Sequence, residues 1–289
     1  MMGPQASMLP DGKRLHLNHG PIDLIIEAFD EAEEVAAAYS QAKDRFDTVL
    51  EELVAELPEL RRPSTSAPRS LMGPTARRME RAVTRFADRF FITPMAAVAG
   101  SVADEMLEAM TRGRKLRRAY VNDGGDIAIF LSPGEEMKVA IAGTGHGFAD
   151  RITIRFEDAV RGIATSGWRG RSHSLGIADA VTVLAADAAT ADAAATLIAN
   201  AIDLPGHPAI ERAPARQLAP ESDLGDRLVT TNVGELSGAE VADALERGKA
   251  VADDFVLRGL IVSAALFLND QSRLAGALAE NSGRMLVHA

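Results

Sequence analysis

Tyr120-Val-Asn-Asp-Gly-Gly-Asp-Ile-Ala-Ile-Phe-Leu131 decides the fold class of this chain. Apolar and β-branched residues flank a pair of glycines, and paired glycines supply the positive φ angles that a tight hairpin turn needs. The segment predicts two antiparallel strands. Comparable short runs follow at Met137–Ile141, Ile152–Arg155, Ile163–Ala164 and Asp179–Leu184, separated by Gly and Asp turns, and they extend the prediction to an antiparallel sheet. Upstream, Arg14–Asn18 and Ile22–Ile26 flank His19-Gly20-Pro21 and read as another hairpin. Helical patterns come in separate blocks. From Asp30 to about Leu57, apolar residues recur at Val35, Tyr39, Ala42, Phe46, Leu50, Leu53 and Leu57, one face of a long amphipathic helix. Further helices are predicted from Pro74, from Pro94 to about Met110, over Thr190–Asn200 and over Gly238–Val251, with a buried strand within Gly259–Leu268. Blocks without strict alternation favour α+β over a doubly wound fold. Arg61–Pro74, rich in Pro, Ser and Arg and without period, reads as an exposed loop.

Composition narrows the function classes. The 289 residues carry 31 basic against 41 acidic side chains, a net charge of −10, with 47% apolar residues and no cysteine. The apolar fraction excludes global disorder. Disulfides, thiolate metal sites and thiol nucleophiles are excluded outright. The negative balance argues against nucleic acid or an anionic membrane as partner, so an anionic ligand has to be held locally. The opening MMGPQASMLPDGKR lacks an apolar run behind a basic stretch, and Leu260–Leu268 is about half a membrane span, so a cytoplasmic protein is expected. The six histidines show no ligand spacing, and Gly143-Thr-Gly-His-Gly147 lacks the dinucleotide-binding context.

Four segments can carry chemistry. Pro94–Asp104 is rich in small residues, which allow either close helix packing or approach of a ligand to a helix start. Asn122-Asp-Gly-Gly-Asp126 fits a plain hairpin turn and also amides aimed at a ligand. Ala164-Thr-Ser-Gly-Trp-Arg-Gly-Arg171 offers hydroxyls and guanidiniums to phosphate oxygens, with Trp168 either covering a planar ring or acting as a packing lid. Asp192 and Thr196, four apart, share one helix face. Oxygen ligands so placed suit Mg²⁺, while the competing reading puts Asp192 in the first turn as a partner of the helix dipole.

In this order the four segments resemble the ApbE family, flavin transferases that attach FMN to proteins. Val98-Ala-Gly-Ser-Val-Ala-Asp104 is similar to the family's Ala-Lys-Gly-x-x-x-Asp element, Gly124-Gly-Asp126 to its Gly-Gly-Asp hairpin and Thr165-Ser-Gly167 to its Thr-Ser-Gly loop. Ser172-His173 falls at the Ser-His position, and Ala191-Asp-Ala-Ala-Ala-Thr196 resembles the metal-binding helix. The wording of Phe91–Gly100, Arg161–Arg171, Ser174–Val183 and Asp223–Val229 is closer still to the branch called uncharacterised protein family 0280. The resemblance implies a single α+β domain over 1–289, within which the loop at about 61–74 is expected from its composition to be flexible. Two tunnelling-fold-like repeats of antiparallel sheet, with helices on one face, would build it.

The same resemblance implies FAD or FMN and Mg²⁺ as cofactors. It gives Asp192, Thr196 and the Val98 carbonyl to the metal, and Gly100, Asp104, Gly124, Gly125, Asp126, Thr165, Ser166, Gly167 and Trp168 to the ligand. His173 becomes the candidate catalytic residue. A protein threonine of an acceptor protein would attack the FMN phosphorus of FAD, with AMP leaving. Two departures stand against full transfer: the family lysine is Ala99, and the stretch after His173 lacks the Asp-Pro-x-Thr-Gly turn. Two other readings follow, a non-catalytic flavin-binding protein and a pterin-linked cofactor-biosynthesis enzyme on the same scaffold. A homodimer would bury the open edges of such a sheet.

Overall fold

Leu15, Leu17, Leu24 and Ile26 alternate with more exposed neighbours, and all four are fully buried. They lie on strands β2 (Leu15–His19) and β3 (Ile22–Phe29), next to a short β1 (Gln5–Met8). The structure, a computed structural model, describes residues 3–140 and 151–277. Ile141, the Gly143–Gly147 segment with His146, and His288 lie outside the described residues.

Helix α1 (Ala32–Ala55) follows the predicted spacing and buries Tyr39, Ala42, Phe46 and Leu53. After the one-turn α2 (Leu57–Leu60) come α3 (Pro74–Thr84), a 3-10 turn at Pro94–Ala97 and α4 (Val98–Thr111). Strands β4 (Arg118–Asp123), β5 (Asp126–Leu131), β6 (Glu136–Ala140), β7 (Arg151–Arg155), β8 (Gly162–Ser166) and β9 (Ala180–Ala185) lead to α5 (Ala188–Ala201). The chain continues through β10 (Ile210–Pro214), α6 (Ala215–Leu218), β11 (Leu228–Val233), α7 (Gly238–Leu257), β12 (Ser263–Leu268) and β13 (Gln271–Gly276).

The described residues fall into two compact units, one of 3–139, 153–164 and 185–192, the other of 140, 151–152, 165–184 and 193–277. In the first, the sheet order is β1-β2-β3-β4-β5-β8, every pair antiparallel. Helices α1, α3 and α4 pack on one another, and α1 and α4 also pack on strands of this sheet. Phe46, Met79 and Met106 fill the space between them. In the second unit, β9, β12 and β13 pair antiparallel in that order, α7 packs on β12 and β13, and β10 and β11 form a separate ribbon. The whole is an α+β fold with extensive antiparallel sheet, as expected.

Three local expectations change. The helix expected from Pro94 begins as a 3-10 turn and becomes α-helical only at Val98. Helix α5 starts at Ala188, two residues before the expected Thr190. The stretch expected as an exposed loop before α3 is aperiodic but buries Ser64 and Leu71. The cause is Glu80, a carboxylate of α3 that is 1% exposed. It accepts hydrogen bonds from Arg69 Nη2 at 2.8 Å, Arg69 Nε at 3.1 Å, Arg69 N at 3.0 Å and Ser64 Oγ at 3.1 Å. A carboxylate at that depth needs partners, and the loop supplies them.

Candidate functional site

The starts of α4 and α5 meet within the first unit because Gly100 clears the way, and Gly162 of β8 admits the start of α5 in the same manner. A Cβ on Gly100 would lie 2.2 Å from the Ala188 carbonyl oxygen, and one on Gly162 would lie 2.0 Å from the Asp187 carbonyl carbon. At this approach each helix caps the other. Gly100 N donates to Asp192 Oδ2 at 3.1 Å. In return, Ala188 N and Ala189 N donate to the two oxygens of Asp104 at 3.1 and 2.9 Å. Thr190 N donates to Asp187 Oδ1 at 2.7 Å, so Asp187 caps α5 from the position directly before the helix. The reading of Asp192 as a first-turn partner of its own helix is therefore corrected. Because α5 begins at Ala188, Asp192 is one turn in and serves the orphan amides of α4 instead.

The Asn122–Asp126 segment is a two-residue hairpin turn with Asp123 opposite Asp126. Gly124 and Gly125 have φ of +62° and +118°, and Gly125 N donates to Asn122 Oδ1 at 2.8 Å. The glycines are thus required by the turn itself. Its flanking carboxylates are both buried, Asp123 at 5% and Asp126 at 9% exposure. They act electrostatically on Asp192. Burial, then Asp126 and to a lesser extent Asp123, push the Asp192 carboxyl well above the ordinary carboxylate range, against the amides of Gly100 and Ala99 that pull it down. Among the described residues, no three His, Asp or Glu side chains are arranged to hold a metal ion together.

Asp104 is perturbed as well. Burial and the neighbouring Asp187 push its carboxyl up to about 7, although the Ala189 and Ala188 amides and Arg78 oppose the shift. A folded-state value above the ordinary 3.8 means that the folded protein keeps this proton longer than the unfolded chain does. The stability so contributed is complete below about 3.8 and is lost as pH rises through about 7. Melting temperatures across that window are expected to fall more steeply for the wild type than for Asp104→Asn. Parallel curves would contradict the shift.

The second unit holds the remaining predicted residues, among them Thr196, which is partly exposed on α5. Thr165 and Thr182 join their hydroxyls at 2.9 Å. A Cβ on Gly167 would lie 2.3 Å from the Asp179 carbonyl oxygen, so close packing already accounts for that glycine. Trp168 N donates to Ala178 O at 3.0 Å. The Arg169 guanidinium lies 4.9 Å from the Trp168 ring centroid and is itself 3.3 Å from Asp179. The Trp168 indole N–H is buried with no hydrogen-bond partner among the described residues. His173 is exposed.

Within the first unit, then, the structure brings together Gly100, Asp104, Asp126 and Asp192, with Val98 at the first position of α4. Sequence reasoning passed over Asp123 and Asp187. The first stood inside a quoted motif. The second carries the short-range signature of an N-cap, a carboxylate just before an alanine-rich helix. No helix among the described residues is long and apolar enough to cross a membrane.

Comparison with known proteins agrees with this architecture. Residues 6–274 match the family model described as AbpE bacteria. A UPF0280 protein of Methanothrix thermoacetophila is 41% identical over 115 residues, 39% of this chain and 47% of that one. A UPF0280 protein of Methanosarcina acetivorans is 36% identical over 123 residues, 42% and 47% of the two chains. The chain thus spans about half the length of the curated relatives it matches. The solved structure of the flavin transferase ApbE from Vibrio cholerae superposes with a TM-score of 0.52 at 12% identity, covering 96% of this chain and 99% of that one. That likeness is one of fold. With the family model matched from residue 6 to residue 274, this chain belongs to the ApbE-like family described as AbpE bacteria.

Proposed function

We propose that this protein binds a flavin nucleotide, FAD or FMN, together with Mg²⁺. The observation that carries the reading is the state of Asp192. Its carboxylate is fixed by the amides of Gly100 and Ala99 and crowded by Asp126 and Asp123, an arrangement that favours a cation nearby. Since no three His, Asp or Glu side chains among the described residues are arranged to hold one ion together, a cation there would take Asp192 and otherwise neutral oxygens. That donor set suits Mg²⁺, which keeps several waters and binds through one or two carboxylates plus substrate phosphates. The Val98 carbonyl and the Thr196 hydroxyl, one turn along α5 from Asp192, are the neutral oxygens this reading assigns. Bound Mg²⁺ would neutralise the diphosphate of FAD and the charge developing on a departing phosphate.

The chain's own residues would hold the ligand. The reading gives the start of α4 at Gly100 and the turn at Gly124, Gly125 and Asp126 to it. Asp104 supports that start by keeping α5 in place. In the second unit it gives Thr165, Ser166 and Gly167 to phosphate or ring atoms, Trp168 to the ring and His173 to catalysis. The reaction it assigns is transfer of FMN from FAD to a threonine of an acceptor protein, on a single ApbE-like domain of two tunnelling-fold-like repeats. Ala99, where the family has lysine, favours a second reading in which the flavin is bound but not transferred.

Titrating FAD into wild type and Asp192→Asn, with and without Mg²⁺, tests the site. Mg²⁺ is expected to tighten FAD binding about tenfold or more in wild type, roughly 1.4 kcal/mol, and to leave Asp192→Asn unchanged. Equal affinities in all four titrations would end the metal assignment. Release of AMP on adding a threonine-containing acceptor separates the transferase from the carrier.

A further inference from the structure

Residues 61–89 hold eight arginines and only two carboxylates, Glu80 and Asp88, in a chain whose net charge is −10. Three of these arginines, Arg78, Arg81 and the C-cap Arg85, are spaced by three and four along α3 and so share one face. They line a cavity of about 450 Å³ in the first unit, together with Asp104 of α4 and Asp187 and Thr190 at the start of α5. A volume of this size lies in the range of small-molecule pockets, about 300–1,000 Å³. Asp192, Asp123, Asp126, Gly100 and Val98 are not among the lining residues, and Asp104 is the one residue the cavity shares with the proposed flavin site.

The charges in this cavity are divided. Arg78 is fixed in place, its Nε 3.0 Å from Glu105 Oε2 and its Nη2 paired with Glu108. Arg81 is exposed and makes no ion pair among the described residues. The amides at the start of α5 are already committed to Asp104 and Asp187, so the helix terminus is not what would hold an anion here. That leaves the guanidinium of Arg81, with Arg85 adding its charge on the same helix face. Two carboxyl groups, Asp104 and Asp187, share the lining, and a carboxylate accepts hydrogen bonds and repels a second anionic group.

We propose that this cavity binds a small phosphomonoester that also carries a hydroxyl or amine, the phosphate on Arg81 in the field of Arg85 and the donor on Asp104 and Asp187. A phosphomonoester is close to doubly charged near neutrality, and its oxygens match guanidinium forks in paired, charge-assisted hydrogen bonds. Arg78, held by its two glutamates, is the positioning residue that fixes the direction of the arginine face. The carboxyl wall then selects for a donor-bearing ligand over a bare anion.

Calorimetric titration of the full chain with glycerol 3-phosphate, inorganic phosphate and glycerol tests the assignment. Wild type is expected to bind glycerol 3-phosphate more tightly than inorganic phosphate and not to bind glycerol. Arg81→Glu is expected to weaken glycerol 3-phosphate binding by about tenfold or more, a loss typical of removing one charged partner. Arg62→Glu, whose native side chain is 66% exposed and lies outside the cavity, leaves it unchanged. Thermal unfolding of Arg81→Glu confirms that the variant folds. Absence of binding to wild type, unchanged affinity in Arg81→Glu, or an equal loss in Arg62→Glu would overturn the site. Equal affinity for phosphate and ester would overturn the ligand class.

Discussion

Gly100→Ala is expected to destabilise the folded protein by about 3 kcal/mol or more, the upper end of ordinary overpacking. The added methyl would lie 2.2 Å from the Ala188 carbonyl oxygen, 2.5 Å from its carbon and 2.9 Å from the Ala189 Cα. All three neighbours are backbone atoms, so no side chain can rotate aside. The helices would have to separate, and separation breaks the bond from Gly100 N to Asp192 and those from Ala188 and Ala189 to Asp104. A typical intramolecular hydrogen bond contributes about 0.5–1.5 kcal/mol, so losing even part of this set adds to the strain. Urea unfolding of Gly100→Ala beside Gly3→Ala reads the effect. Gly3 has nothing within 4 Å of an added Cβ, and its variant should stay within about 0.5 kcal/mol of wild type. A Gly100→Ala protein as stable as the control would disprove the contact between the helix starts.

Glu80→Ala is expected to be of similar size, about 3–5 kcal/mol, because it leaves the Arg69 guanidinium without its buried counter-charge. Arg69 would retain Glu59 O, accepting from Nη1 at 2.7 Å, while losing every contact to the carboxylate. Replacing both partners by apolar residues of similar volume, Arg69→Met with Glu80→Leu, should cost less than Glu80→Ala alone, since no charge is then left stranded. Unfolding free energies of the three variants decide this, and a double variant worse than the single one would refute it. Acid gives an independent reading. Burial raises the Glu80 carboxyl, but the Arg69 side chain and amide and the Ser64 hydroxyl outweigh it and leave the group below its ordinary 4.5. The stability it contributes is therefore present above that value and is lost as pH falls below it.

Much of this arrangement was legible from single segments. The apolar spacing of α1 and the glycine pair between Asp123 and Asp126 are local signals, and both elements formed where the chain predicted them. Strands β10, β11 and β13 were not legible. Gln271-Ser-Arg-Leu-Ala-Gly276 and Ile210-Glu-Arg-Ala-Pro214 bury little, so neither needs the apolar alternation by which a strand is recognised. Start points shifted for the same reason: the first turn of α5 is alanine, whose pattern carries no edge, and its boundary is set by Asp187 and Asp104. The candidate site was visible as residues but not as a contact. Val98–Asp104 and Asp192 were each singled out, yet nothing in either segment announces that Gly100 and Asp192, 92 residues apart, share a hydrogen bond.

That separation also has a consequence for synthesis on the ribosome. Domains emerge from the N-terminus, and local structure can form as soon as its residues are available. Helix α4 is complete at Thr111, but its orphan amides meet their acceptor only when Asp192 has been made. The first unit is therefore assembled in instalments, and its last few residues clamp both helices at once. Nascent chains stalled before Asp187 should show the Gly100 amide of α4 exchanging freely, and chains stalled well past Asp192 should show it protected.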